Sequence, residues 1–147
     1  RLLILPATID PENLGGMLRT AAALGYGAVL AGPGTCDPLS RRALRVSMGA
    51  SLSLPFFQVE GPAVLAVLGK AGYSLAGAVL EVGAQDLAAW SAPERLCLLI
   101  GNEYEGLGPE WLPKEVVRLT IPMEGGADSL NAAAAAAIFM YAARGRG

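Results

Sequence analysis

Six short β-prone apolar runs recur along the chain, at residues 2–5, 28–31, 55–59, 74–78, 96–100 and 117–121, and helix-forming stretches fill gaps between them. Alternation of this kind builds βαβ units around a mostly parallel sheet with helices on both faces, so the expected fold class is α/β. The clearest helical stretches are residues 12–24, closed by Gly25, then 40–48, 63–71 and 130–144, which runs out into a Gly-rich tail. No repeat and no linker-like shift in composition divides the 147 residues, so a single domain over 1–147 is expected. Gly and Pro clusters at 32–34, 101–109 and 122–126 sit between elements as turns that follow predicted strands. In parallel α/β sheets ligands gather outside the carboxyl ends of the strands, so chemistry is expected there.

Composition narrows the chemistry. The chain holds no histidine, which removes the commonest general base and excludes Ser-His-Asp hydrolysis. With a net charge of −2 it lacks the broad basic surface of a sequence-indifferent nucleic-acid binder, so any RNA contact must be local or shared with another segment. Hydrophobic residues make up 53% and charged residues 16%, which excludes a disordered tail and leaves apolar surface for a partner subunit to cover. The longest apolar stretch, residues 130–143, is shorter than the ~20 residues that span a bilayer and reads as a buried helix. No export signal opens the chain, so a cytoplasmic location without membrane contact is expected. The chain opens at Arg1 directly into an apolar run, and an N-terminal RNA-binding extension or domain outside it is expected. Cys36 and Cys97 are too few and too far apart for a zinc cluster or disulfide framework; both are expected to be buried thiols, with no metal.

Three segments carry the candidate chemistry. The first contains Asn13, Gly15, Gly16, Arg19, Thr20 and Ala21 and opens a helix after Asp10-Pro11-Glu12. An Asn there suits capping of exposed backbone N–H groups, and the paired glycines permit close approach of another backbone or a ligand. Arg19 lies on an otherwise apolar stretch, where a guanidinium must reach solvent or meet an anion. In the second segment the apolar run 96–100 breaks into Gly101-Asn102-Glu103-Tyr104-Glu105-Gly106-Leu107, a loop able to wrap a nucleoside through main-chain groups. It matches neither the Walker loop nor the dinucleotide fingerprint. The third segment runs from Ile121, Pro122, Met123 and Gly125 into Ser129-Leu130-Asn131 and six consecutive alanines. Ser129 or Asp128 is placed to cap that helix, whose positive end suits polar or anionic groups.

Taken together, in this order and spacing, the segments resemble the three signature motifs of the SpoU family of RNA ribose methyltransferases, also called the TrmH family, of the SPOUT superfamily. The matches are Asn13, Gly15, Arg19, Thr20 and Ala21, then Gly101, Asn102, Glu103, Gly106 and Leu107, then Ile121, Pro122, Met123, Gly125, Ser129, Leu130 and Asn131. The stretch Ser47-Met48-Gly49-Ala50 also looks like the segment that joins the first two motifs in that family. Alanines after Asn131 stand where relatives often carry Val and Ser.

The resemblance implies an α/β SPOUT fold with a C-terminal deep trefoil knot, a feature that general rules of chain connection would not suggest. It implies a homodimer, S-adenosylmethionine as cofactor, and methyl transfer to a ribose 2′-hydroxyl of ribosomal or transfer RNA. Carried over by position, Leu80, Gly101, Ile121, Met123 and Leu130 would hold the cofactor, while Asn13, Arg19, Glu103, Ser129 and Asn131 would form the catalytic group. In that group the family pattern casts Arg19 as the base, whereas guanidinium chemistry suits it better to bind the target phosphate and stabilise developing alkoxide charge; Asn13 and Glu103 would orient Arg19 and the ribose, and Ser129 and Asn131 would shape the pocket. The alternative is a knotted RNA-binding or assembly module that does not catalyse.

Overall fold

The computed structural model describes residues 1–124 and 129–144. Seven strands form one sheet: β1 (Leu2–Leu5), β2 (Ala28–Ala31), β3 (Phe56–Gln58), β4 (Ser74–Ala78), β5 (Gln85–Asp86), β6 (Leu96–Leu99) and β7 (Val116–Thr120). Their order is β3-β2-β1-β6-β4-β7-β5, and every neighbouring pair is parallel. The chain builds outward from β1 through β2 to β3, then crosses to the other side, so β1 and β6 flank the point where the winding direction reverses.

Side chains on the central strands divide between two cores with the period of two that a pleated strand imposes. Leu3, Leu5, Leu96, Leu98 and Ile100 pack into one cluster with Leu14, Met17, Leu18, Phe139 and Met140, from the helices α1 (Pro11–Ala23) and α5 (Ala132–Ala142). Ile4, Cys97 and Leu99 point to the opposite face and meet Leu65 of α4 (Ala63–Lys70) together with Trp111 and Leu112. Helices therefore cover both faces, and continuous apolar runs are what a sheet buried on both sides needs.

Two short helices, α2 (Arg41–Val46) and α3 (Ala50–Ser53), follow β2 and lie against α1. Gly15 is what lets α2 approach: a Cβ there would sit 2.8 Å from Ala43 O and 2.8 Å from Val46 Cβ. On the other side of α1, a Cβ on Gly16 would lie 3.3 Å from Ala133 Cβ, so the paired glycines and the alanine run serve tight helix packing. Gly25, at φ +73°, closes α1 as expected, with Tyr26 N donating back to Ala21 O at 2.9 Å.

Four expectations need correction. Asp10, not Asn13, caps α1: its Oδ1 accepts from Glu12 N at 2.8 Å, and Asn13 is released for another role. Asn131, not Ser129, caps α5, accepting from Ala133 N at 3.0 Å and Ala134 N at 3.1 Å, and the helix accordingly starts at Ala132. Asp128 and Gly125 lie outside the described residues. The segment 40–48 is helical only over Arg41–Val46, because Met48 at φ +53° and Gly49 at φ +84° turn the backbone into α3. Of the cysteines, Cys97 is buried but Cys36 only half-buried.

Candidate active site

β1 and β6 are parallel neighbours, so the loops that leave their carboxyl ends emerge side by side; the first leads into α1, which carries the first motif segment, and the second motif segment occupies the other. Asn102 ties them together. Its Nδ2 donates to Ala7 O at 3.1 Å, while its Oδ1 accepts from Tyr104 N at 2.7 Å and Glu105 N at 3.3 Å. The main chain closes the same turn, with Asn102 N donating to Gly106 O at 2.9 Å and Gly106 N to Asn102 O at 3.0 Å. This closure is why residue 101 is glycine: a Cβ there would fall 2.2 Å from the carbonyl carbon of Gly106 and 2.4 Å from Leu107 N.

Glu103 and two asparagines then join the three motifs in one directed chain. Glu103 Oε1 accepts from Asn13 Nδ2 at 3.1 Å and from Asp10 N at 3.4 Å. A carboxylate only accepts, so the Asn13 amide must turn its NH2 toward Glu103 and leave its Oδ1 free to accept. Asn131 Nδ2 fills that acceptor at 3.0 Å, which directs its own Oδ1 to the N-terminal N–H groups of α5. Each amide thus has one satisfiable orientation, and a slip at one member would leave unpaired polar groups, Asn13 itself being buried. Glu103 Oε2 is buried without a hydrogen-bond partner among the described residues.

Beside this chain lies an open cavity of about 390 Å³. All five residues expected to hold the cofactor, Leu80, Gly101, Ile121, Met123 and Leu130, line it, as do Glu103 and Ser129. Ala78, Val79 and Phe139 complete the apolar wall, and none of the three is legible as a site residue from the sequence. Asn102 was readable only as a motif match, although an Asn directly after a strand-ending glycine is a recognised turn former. On the lip, Arg118 Nε pairs with Glu81 at 3.3 Å.

Arg19 stands apart. Six residues along α1 place it about 120° round the helix from Asn13 and about 9 Å further along. Its side chain is exposed and, among the described residues, it makes no hydrogen bond or ion pair, so neither Asn13 nor Glu103 orients it within this chain. Four of the five expected catalytic residues therefore gather at the cavity or in the relay beside it, and the fifth faces solvent.

The SpoU rRNA Methylase family model matches residues 1–141. The chain belongs to the SpoU methylase family. A 23S rRNA (guanosine(2553)-2′-O)-methyltransferase, RlmP of Bacillus subtilis, is 37% identical over 147 residues, covering 99% of this chain and 58% of that protein. An uncharacterized tRNA/rRNA methyltransferase of Mycobacterium tuberculosis is 42% identical over 142 residues, covering 94% of this chain and 49% of its own length. The SpoU methyltransferase AviRb of Streptomyces viridochromogenes, solved in complex with AdoMet, superposes with a TM-score of 0.87 at 30% identity, over 98% of this chain and 59% of that one. The chain thus spans about half the length of the SpoU relatives it matches. Among the described residues no helix is long and apolar enough to cross a membrane.

Proposed function

We propose that this SpoU domain transfers a methyl group from S-adenosylmethionine to a ribose 2′-hydroxyl of ribosomal or transfer RNA. The observation that carries the reading is the cavity at the carboxyl end of the sheet, where the five expected cofactor residues converge beside the Asn131–Asn13–Glu103 chain. Its donor set fits the cofactor: apolar walls from Leu80, Ile121, Met123 and Phe139 suit an adenosyl group, loop main chain suits its polar edges, and the unpartnered Glu103 Oε2 suits a donor or a positive charge. The name of the Bacillus subtilis relative, a 2′-O-methyltransferase, and the AdoMet complex of the Streptomyces enzyme support the same chemistry.

Bound there, S-adenosylmethionine supplies an electrophilic methyl on a sulfonium. The chain's task is then to bring a weak nucleophile into line and to accommodate its proton. Positioning can contribute roughly 7–11 kcal/mol to such a step. Asn13, Glu103 and Asn131 hold the three loops in register, Ser129 sits at the cavity edge, and Arg19 grips the phosphate of the target nucleotide and stabilises charge developing on the 2′-oxygen. A guanidinium holds its own protons too tightly to accept another, so the proton passes to phosphate or solvent.

The same reading includes a second copy of the chain, seated where α1 and α5 leave Ile138 and Tyr141 exposed, a C-terminal knot, and a cytoplasmic location. The greater length of the relatives supports an RNA-binding portion beyond a catalytic domain at 1–147. The test is methyl transfer from tritiated S-adenosylmethionine to rRNA and tRNA transcripts, with the product read as an alkali-resistant dinucleotide. Cofactor binding without transfer to any RNA would favour the non-catalytic module, and absence of cofactor binding would sink both the cavity assignment and the enzyme.

A further inference from the structure

Tyr104 is 87% exposed, an unusual position for an aromatic ring in a chain with only 6% aromatic residues. A lone exposed apolar group carries no argument by itself, but three features of this one do. First, its backbone is anchored while its ring is not: Asn102 Oδ1 accepts from Tyr104 N at 2.7 Å, and the main-chain bonds between Asn102 and Gly106 close the turn around it. Second, Tyr104 lines the mouth of the cavity directly after Glu103, whose buried Oε2 has no partner among the described residues. Third, the cavity lining carries no cation among the described residues: Glu105 is exposed there, and Glu81 holds Arg118 in an ion pair on the lip at 3.3 Å.

A lining with carboxylates and no cation offers phosphate no favourable contact, so an uncharged face is what RNA can use at this edge of the site. The chemistry also demands such a face. A 2′-hydroxyl that enters a cavity must be carried by a nucleotide splayed out of its helical stack, and the unstacked base then needs an aromatic or planar surface. A ring on a fixed stem supplies that surface at small entropic cost, since only the two side-chain torsions remain to be ordered.

We propose that Tyr104 is the stacking platform for the base of the nucleotide being methylated. The inference rests on the RNA reading above. Stacking uses the ring face, so it tolerates any base and leaves sequence choice to contacts elsewhere.

The test compares wild type, Tyr104→Ala and Tyr104→Phe in filter binding to 23S rRNA and tRNA transcripts, with adenosylhomocysteine affinity measured by calorimetry alongside. Tyr104→Ala should weaken RNA binding roughly tenfold or more and raise the KM for RNA while cofactor affinity and melting temperature stay as in wild type. Tyr104→Phe, which keeps the ring, should behave as wild type. RNA binding by Tyr104→Ala equal to that of wild type overturns the platform and leaves the RNA reading standing. A parallel loss of cofactor affinity also overturns it, placing the ring over the methyl donor instead. Wild type, tested together with any RNA-binding portion that flanks the domain, that binds neither transcript fails the RNA reading itself, and the platform with it.

Discussion

The two sides of the site differ in how much the chain settles by itself. On the sheet side, Asn102, Glu103, Asn13 and Asn131 spend their hydrogen-bonding capacity on one another and on the three loops they join, at distances of 2.7–3.4 Å. On the solvent side, Arg19 and Tyr104 project from anchored backbone without side-chain partners among the described residues. A methyl donor bound against the first side meets a surface already in place, which is where pre-organisation contributes most to rate. The second side is complete only when something outside the chain supplies the missing contacts, and RNA phosphate and base are the groups its chemistry suits.

Breaking the open side should change catalysis without touching the fold. Arg19→Ala is expected to lower the single-turnover rate by roughly 10²–10³ while leaving stability within ~0.5 kcal/mol, since the Arg19 side chain makes no bond among the described residues. Rapid-quench methyl transfer beside a thermal melt checks this; a destabilised variant would show that Arg19 belongs to the locked side. Arg19→Lys sharpens the point: appreciable activity means that charge alone suffices, and near-total loss means that the planar fork is needed.

Breaking the locked side should do the reverse. Gly101→Ala drives a methyl into the backbone of Gly106 and Leu107, at 2.2 and 2.4 Å, so the loop must move and the cavity with it. Calorimetry with adenosylhomocysteine should register a loss of affinity of at least about tenfold, as a displaced loop cannot present its main-chain groups. Smaller changes follow within the relay. Asn13→Ala leaves Glu103 and Asn131 each short of a partner and should cost about 1–3 kcal/mol in denaturant unfolding. Asn131→Ala removes a helix cap as well, at about 0.5–2 kcal/mol. The double variant should cost less than the sum, with a coupling of about 0.5–3 kcal/mol. Strict additivity would mean that the chain of amides is a coincidence of contacts rather than one unit.

Much of this fold was legible in the periodicity, because a strand buried on both faces writes an uninterrupted apolar run. Residues 2–5, 28–31 and 74–78 were expected as strands and are β1, β2 and β4 to the residue. β5 was hidden for the opposite reason: Gln85 and Asp86 are polar and pair only because β7 presents Leu119 and Thr120 to them. The cap of α5 was misassigned because Asp, Ser and Asn suit capping almost equally, and what selects Asn131 is a bond to Asn13, 118 residues away. Helical geometry alone separates Arg19 from Asn13, whereas the five cavity residues came from resemblance, since nothing in the spacing of Leu80, Gly101 and Leu130 announces a common wall.

The weakest expected effect lies beneath both sides, in the two cores on either face of the sheet. Cys97 faces inward on β6, and burial pushes its thiol from the ordinary value of 9.0 up to about 12. Tyr26, which follows α1, is raised from 10.0 to about 12, again by burial, with nearby Arg1 acting in the opposite direction. Both groups are neutral in the folded protein at pH values where the unfolded chain has already released their protons. The unfolded state is therefore favoured as pH climbs from about 9 toward 12, and stability contributed below that window is lost through it. Denaturant midpoints should hold level up to pH 9 and then decline, and Cys97→Ala should reduce the portion of the decline that starts at the thiol's ordinary value, leaving the share of Cys36, whose thiol burial also pushes up.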